Sequence, residues 1–263
     1  MMITLSLKFT IDGTDLIIAK GTDYRLISVS GLEAPDIEID TYDHAIMDGS
    51  AILSTKVMSR SISVSFLVAS SAKINTARAA LMSYFKPKSG GVLTVTRGAV
   101  TRKIGFFLAT KPDFIHPDSS LGKLRVTVNL FCPDPYFYAA TAITVNETSS
   151  NKSAITNPGD VPCGFIATIT ATGGSVVNPA VYLTGGYDVV YMEKTLVNTD
   201  IARISTVPGD CFVEYEGEET FLYGISSTFF LLPVGESTVN YDADSGTSYI
   251  VGKVTFTPRY LGV

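Results

Sequence analysis

The sequence predicts a mainly β protein of two domains, an α+β domain followed by an antiparallel β-sandwich. Strand patterns with a period of two residues recur along most of the chain, one stretch has helical spacing, and a Pro-rich joint divides the two halves. A chain of 263 residues is long enough for two ordinary domains. Each domain can bury its own core without help from disulfides.

Two strands with one buried face are predicted clearly in the first half. At 62–68 apolar residues alternate with serines, and at 124–130 they alternate with Arg125, Thr127 and Asn129. Such alternation is typical of a strand that lies on a core. Turn residues separate the other short apolar runs, which indicates an antiparallel sheet.

A single helix is predicted over 71–85, where Ile74, Ala77 and Leu81 follow helical spacing. Pro87 ends the helix, because a proline cannot continue its hydrogen-bond pattern. A lone helix among strands must lay its apolar stripe on a sheet. The first domain is therefore predicted to be one helix packed on a β-sheet or split barrel.

A rigid joint is predicted where the second of these strands ends, at Cys132–Tyr136. Pro133 and Pro135 lack a backbone N–H and have a fixed φ, so they stop the hydrogen-bond ladder of the strand. The alternative interpretation is a stiff loop inside one domain. We favour the joint, because a polar segment rich in Thr, Asn and Ser follows it.

The first domain is assigned to 1–136 and the second to 137–263, with a linker at about 137–160. Beyond the linker only short strands are predicted, at a spacing of about one per ten residues. That spacing is typical of an antiparallel β-sandwich.

Charge and composition exclude two classes of partner and favour a third. A net charge of −5 and a pI near 5.1 leave no basic face for nucleic acid. No apolar run approaches the roughly 20 residues that a membrane span needs. Charged residues make up 17% of the chain, whereas an ordinary domain carries about 25%. We therefore expect apolar surface to be buried between the subunits of a homo-oligomer.

The sequence also predicts synthesis in a reducing cytoplasm. The first residues lack a charged start followed by an apolar run, so no signal peptide is predicted. Cys132, Cys163 and Cys211 are odd in number and far apart, which favours buried free thiols over disulfides.

No catalytic, metal-binding or cofactor-binding residue is predicted, and the chain is predicted not to be an enzyme. It contains no nucleophile elbow and no phosphate-binding glycine loop. His44 lies near Asp36, Glu38 and Asp48, which together could hold a divalent ion. The favoured interpretation is an acidic loop that faces solvent. His116, the second histidine, is assigned to a loop.

Tyr187 and Tyr191 are the candidate residues for stacking on a sugar ring in the second domain. The chain has no tryptophan, whose ring serves best for such stacking. Because tyrosines at strand spacing are more often core or edge residues, sugar binding is kept as an alternative function.

One segment of the first domain is a candidate for contacts between subunits. Its apolar residues are Tyr42, Ile46, Met47, Ile52, Leu53, Val57 and Met58. They lack the alternation of a strand buried on one face, so an extended arm or hairpin lying on a neighbouring subunit would bury them. The alternative is a long loop folded back on its own domain.

A series of short motifs lies along the chain, and its residues are Gly31, Asp48, Gly49, Arg60, Cys132, Asp134, Pro135, Tyr136, Asn157 and Gly159. In their order these motifs resemble those of phage distal tail proteins of the siphovirus tail family. The helix end Leu81-x-x-Tyr84-Phe85-x-Pro87 and the segment 259–263 are also similar. The match is thinnest between about 186 and 227.

The resemblance implies a structural virion protein of a phage or prophage. Its first domain would form a hexameric ring at the distal end of the tail tube, as a baseplate hub, and a galectin-like second domain would project outward. The tail tube, tape-measure and tail-tip or host-adhesion proteins would be its partners. It would be made in the bacterial host cytoplasm and reside at the virion tail tip. The alternative is a carbohydrate-binding β-sandwich carried on an assembly domain.

Overall fold

The computed structural model describes residues 5–44, 46, 48–68, 74–115, 123–148, 154–220 and 222–263. The chain divides into two compact units. One unit runs to Ala140 and also contains Tyr260–Val263, and the other is Thr141–Arg259. The fold is mainly β with antiparallel sheets and one α-helix in the described ranges, as the sequence predicted.

The described residues of the first unit form eleven strands and one helix before the chain enters the second unit. They are β1 (Leu5–Ile11), β2 (Thr14–Ile18), β3 (Tyr24–Ser30), β4 (Ile37–Asp43), β5 (Ser50–Val57), β6 (Arg60–Val68), α1 (Ile74–Tyr84), β7 (Gly90–Arg97), β8 (Val100–Leu108), β9 (Asp113–Ile115), β10 (Leu124–Cys132) and β11 (Phe137–Ala139).

One antiparallel sheet organises this unit, in the strand order β2-β1-β7-β8-β10-β6-β3. β6 and β10 carry the two alternating patterns, and they pair with Val64 opposite Val128. Because residues directly opposite each other share a face, the apolar residues of both strands line the same core. That face is buried, and the serines of β6 lie on the other side.

Helix α1 covers the core, as its spacing predicted. Leu81 is buried, and Ile74 and Ala77 pack against the core at half-burial. Phe85, just after the helix, meets Phe9 edge to face with ring centres 5.5 Å apart. The predicted start of the helix at Ser71 lies outside the described residues.

The second unit contains short strands, as the sequence predicted for a sandwich. They are β12 (Ile143–Thr148), β13 (Ile155–Asn157), β14 (Phe165–Ala171), β15 (Val176–Val177), β16 (Ala180–Leu183), β17 (Val189–Tyr191), β18 (Thr195–Leu196), β19 (Ile201–Val207), β20 (Asp210–Tyr215), β21 (Glu218–Thr220), β22 (Gly235–Ser237), β23 (Val239–Asp242), a 3-10 turn (Thr247–Tyr249) and β24 (Ile250–Phe256), with β25 (Arg259–Tyr260) at its end.

Two sheets of the second unit share one core. The larger has the order β12-β24-β14-β19-β20-β21, and a three-stranded sheet has the order β17-β16-β23. Ile169 of the larger sheet and Val181 and Tyr241 of the smaller one belong to the same buried cluster. Side chains from two sheets meeting in one core make a two-layer β arrangement.

Two features differ from the expected domain organisation. The segment 137–160, expected to be a linker, contains β11, β12 and β13. Its Thr and Asn residues alternate with Ile143 and Val145 on β12, so the polar composition reflects one exposed strand face. Residues 260–263 return to the first unit, which no local pattern in the sequence signals.

Candidate assembly surface

Strands β4 and β5 form a hairpin that is a two-stranded sheet of its own. We call 37–57 the hairpin. At its base the Met58 N–H donates to the Asp36 carbonyl oxygen at 2.9 Å. Gly49, in the turn segment, has a φ of 96°, which favours glycine.

The hairpin is amphipathic, and a bulge makes it so. Ile37 pairs with Val57, but the register shifts by one residue between Asp40 and Thr41, which leaves Leu53 as the extra residue of β5. As a result Thr41 pairs with Ile52, and Ile52 joins the face of Ile37 and Ile39.

The opposite face of the hairpin is polar. Glu38 pairs with Lys56, Asp40 with Ser54 and Tyr42 with Ala51. The charged residues of the whole hairpin are mostly acidic, and Lys56 is the only base among its described residues.

The apolar face of the hairpin is exposed in the single chain. Ile37 is 62% exposed and Ile52 is 65% exposed. Of the predicted interface residues, Tyr42, Ile46, Ile52 and Leu53 are exposed, Val57 and Met58 are half-buried, and Met47 lies outside the described residues. An ordinary soluble chain seldom leaves so many large apolar side chains together in water.

Sequence reasoning missed Ile37 and Ile39, which extend the apolar face toward the base of the hairpin. Their alternation with Glu38 and Asp40 was a usable strand signal. The bulge shifts the apolar positions of β5 by one residue, so the alternation seen on β4 does not continue on β5.

Arg60, one of the motif residues, is buried and connects separate segments of the first unit by hydrogen bonds. Its Nε donates to the Pro135 carbonyl oxygen at 2.8 Å, its Nη1 to those of Gly31 at 2.8 Å and Glu33, and its Nη2 to that of Leu261 at 2.6 Å. The guanidinium also lies 4.9 Å from the centre of the Phe137 ring. Burial lowers the pKa of Arg60, but an arginine stays charged at any physiological pH.

Most of the other motif residues of the first unit also have structural roles. Gly31 has a φ of 85°, and a Cβ there would overlap the Ser61 carbonyl oxygen. Asp134 accepts hydrogen bonds from the Tyr136 N–H at 3.1 Å and from the Tyr138 hydroxyl. Burial raises the pKa of the Cys132 thiol to about 11. These residues shape the backbone.

Asn157, another motif residue, connects backbone segments of the second unit in the same way. It is buried, and its Nδ2 donates to the carbonyl oxygens of Val161 and Leu232, each at 3.3 Å. Its Oδ1 accepts from the Gly159 N–H at 3.0 Å. A Cβ on Gly159 would overlap the Arg259 carbonyl oxygen, so only glycine fits there.

The candidate residues for a metal or acid–base site are exposed where the structure describes them. His44 is exposed and meets Tyr42 edge to face, and Asp36, Glu38 and Asp48 are also exposed. Within the described ranges, no three His, Cys, Asp or Glu residues come together to hold a metal ion. His116 lies outside the described residues.

The two candidate sugar-stacking residues differ in exposure. Tyr187 is fully exposed, whereas Tyr191 is 40% exposed. The Tyr191 N–H donates to Ser227 Oγ at 3.0 Å, which brings the 223–227 loop beside it. That loop carries the exposed residues Tyr223 and Ile225.

Solved structures share this fold over nearly the full chain. The SPP1 Dit protein, described as a paradigm of the hub adsorption apparatus in phages that infect Gram-positive bacteria, has a TM-score of 0.77 at 17% identity. The match covers 97% of this chain and 99% of that one. The chain has the fold of the phage Dit hub protein. The resemblance drawn from the motifs is confirmed at the level of the fold.

Chains of the phage P2 baseplate in its activated conformation are also similar to this chain, at lower TM-scores. The calcium form has a TM-score of 0.56 and the strontium form 0.55, each at 10% identity over all of both chains. No protein-family model matches the sequence, and neither does any curated protein. In the parts of the chain that are described, no helix is long and apolar enough to cross a membrane.

Proposed function

We propose that this protein is a structural hub of a phage tail. Its first unit forms a ring, a hexamer, at the distal end of the tail tube. The hub joins the tube to the tail-tip or host-adhesion apparatus. The observation that carries this proposal is the exposed apolar face of the hairpin, on a chain with the Dit fold.

A hairpin of this kind needs a partner. An isolated two-stranded sheet is marginally stable in water, and this one also exposes Ile37, Ile39 and Ile52. Contact with a different surface on a neighbouring copy is heterologous, and such contacts close into a ring when the rotation between neighbours permits it. The predicted interface residues in 42–58 therefore lie between subunits.

The remaining parts of the proposal follow from the same role. The tail tube, tape-measure and tail-tip proteins are its neighbours in the virion, and it is made in the bacterial host cytoplasm. The second unit is a galectin-like sandwich that projects from the ring. This role requires no catalysis and no cofactor.

The test is the oligomeric state at tens of micromolar and in virions. We expect sixfold rings by native mass spectrometry or cryo-electron microscopy. Ring formation by the isolated protein depends on concentration, because tube and tip partners add contacts. A virion whose tail contains this protein but no ring of it would refute the proposal.

Carbohydrate binding by the second unit is the second candidate function. The observations that favour it are Tyr187, whose ring is fully exposed, and Tyr191, which lies beside a loop that carries the exposed Tyr223 and Ile225. Aromatic rings held in water at a loop cluster provide an apolar face that a sugar ring can cover.

A glycan array tests this second function directly. We expect binding of millimolar or better affinity that is lost in Tyr187→Ala and Tyr191→Ala. Tyr249→Ala is the control, since Tyr249 is about as exposed as Tyr191 but lies on a different turn. Equal loss in all three variants would argue against a site at Tyr187.

A further inference from the structure

A groove opens on the first unit between α1 and the segment that follows β8. Its volume is about 640 Å³. Arg78 and Met82, one helical turn apart, form one wall with Phe85, and the segment 108–114 forms the other. Phe85 is buried, whereas Met82 is 55% exposed.

The groove combines an apolar interior with a basic rim. Met82, Phe85 and Phe114 supply the apolar surface. Arg78, Lys88 and Lys111 are exposed at the rim, and Asp113 is the one acid among the described lining residues. The Arg78 guanidinium lies 5.6 Å from the centre of the Phe114 ring.

The hairpin has the complementary chemistry. Asp43, at the end of β4, shares the face of Ile37 and Ile39, and Asp48 follows in the turn, whereas Glu38 and Asp40 lie on the polar face. Among the described residues, none of these acids forms a salt bridge within the chain, and neither do Arg78, Lys88 and Lys111. Both surfaces thus leave charge of opposite sign uncompensated.

We propose that the groove is the acceptor for the hairpin of a second copy of this chain. Ile39, Ile52 and Leu53 cover Met82 and Phe114, and the acids of the hairpin lie near the basic rim. Donor and acceptor are different surfaces, so the contact is head-to-tail and can close into a ring. The inference rests on the proposed ring function and adds the surface that receives the hairpin.

Complementary charge also explains why the two surfaces meet in one register. Charges of opposite sign across an interface steer the encounter and disfavour wrong pairings. They act over about a Debye length, roughly 8 Å at physiological salt, so direct ion pairs are not required.

Charge reversal and its rescue test the proposal in the full-length protein. The groove variant is Lys88→Glu with Lys111→Glu, and the hairpin variant is Asp43→Lys with Asp48→Lys. Each places like charges together, so we expect self-association by sedimentation velocity to weaken by more than about tenfold. The combination of all four changes should restore association to within about threefold of the unaltered protein.

The matched control is Lys20→Glu with Lys253→Glu, which changes the net charge by the same amount as the groove variant on exposed residues outside the groove. It should leave association unchanged. Circular dichroism verifies that each variant is folded, which is expected because all four altered residues are exposed.

Cross-linking provides a second measurement at weak association. In a Cys211→Ser background, Leu53→Cys with Met82→Cys should give disulfide-linked oligomers, because the other two thiols are buried. Leu53→Cys with Tyr191→Cys should not. An absence of cross-links in the first pair at tens of micromolar would overturn the proposal.

The outcomes separate this inference from the proposed function. If the hairpin variant loses rings and the groove variant keeps them, the hairpin docks elsewhere and only the acceptor assignment fails. If both variants keep rings, the hairpin does not join subunits. If the groove variant alone loses association, or the combination shows no rescue, the groove binds another occupant and the inference is wrong.

Discussion

At the scale of residues, Arg60 explains why a charged side chain can lie in the core of the first unit. Its guanidinium satisfies carbonyl groups of Gly31, Glu33, Pro135 and Leu261, which come from three separate segments of the chain. Only arginine presents several N–H donors in a fixed plane. The residue therefore holds three backbone segments together.

Replacement of Arg60 should destabilise the first unit. Arg60→Ala removes four part-buried hydrogen bonds from a charged group, and such bonds are each worth about 1.5–3 kcal/mol. We therefore expect the free energy of unfolding to fall by more than about 3 kcal/mol. Arg60→Lys should cost less, because an ammonium can serve some of these acceptors. Urea denaturation followed by circular dichroism measures both.

The control for Arg60 is Arg25→Ala on an exposed position of β3, which should change stability by less than about 0.5 kcal/mol. Equal effects of Arg25→Ala and Arg60→Ala would contradict the assigned role.

The three thiols should differ in reactivity. Burial raises the pKa of all three thiols, to about 11 for Cys132 and Cys163, but Cys211 alone is exposed to a reagent. Since the thiolate is the reacting form, one thiol should react quickly with a disulfide reagent near neutral pH and all three after unfolding. Rapid reaction of a second thiol in the folded protein would show that a buried cysteine is accessible.

The same pKa values predict how stability depends on pH. The folded state holds the protons of Cys132 and Cys163 more tightly than the unfolded state, where a thiol titrates near 9. The two thiols therefore contribute fully to the free energy of unfolding below pH 9, and this contribution is lost as the pH rises through about 11. Denaturation series at increasing pH should show this loss, with a shallower slope in Cys163→Ala.

At the scale of elements, the hairpin carries the assembly proposal. The pleat of β4 places Ile37 and Ile39 on one face, and the bulge brings Ile52 of β5 onto the same face. The face is exposed, so these residues contribute little to the stability of the single chain. Their burial in a neighbour would supply free energy to association instead.

Charges on the apolar face should therefore separate assembly from folding. Ile39→Asp with Ile52→Asp should weaken self-association by more than about tenfold, because burying each carboxylate at an apolar contact is costly. The thermal midpoint of the monomer should hardly change. Sedimentation velocity and differential scanning fluorimetry measure the two effects.

The control for these changes is Ser54→Asp, which lies opposite Asp40 on the polar face. It should leave association nearly unchanged. Unaltered rings with both apolar-face aspartates would show that this face does not contact a subunit.

At the scale of the whole molecule, the second unit is inserted into the first. The first unit runs to Ala140 and resumes at Tyr260. The resumed segment is held by Leu261 on Arg60 and by the Val263 N–H, which donates to the Leu32 carbonyl oxygen at 3.1 Å. Arg97 donates to the Val263 carbonyl oxygen at 2.7 Å.

Removal of 260–263 should therefore weaken the first unit and spare the second. Arg60, Arg97 and Arg102 would each lose an acceptor. A fragment of 141–259 should fold alone, since its core is its own. Hydrogen exchange of the truncated protein should show faster exchange in β6 and unchanged exchange in β14. Equal loss of protection in both strands would contradict this organisation.

The sequence alone predicts many of the strands and the helix. Alternation identified β6 and β10, helical spacing identified α1, and short strands between turn residues predicted the two-layer second unit. These signals suffice because they reflect neighbours two to four residues apart, whose side chains share a face of one element. The motif residues Arg60 and Asn157 were also identified, although their partners were not.

Other features depend on contacts between distant parts of the chain. Arg60 lies 201 residues from Leu261, and the groove joins a helix face to a segment after β8. The hairpin register depends on an unpaired residue that shifts the parity of one strand. Local periodicity carries no information on which distant carbonyl groups meet one guanidinium, because that is decided by packing the whole core, where buried polar groups must all find partners.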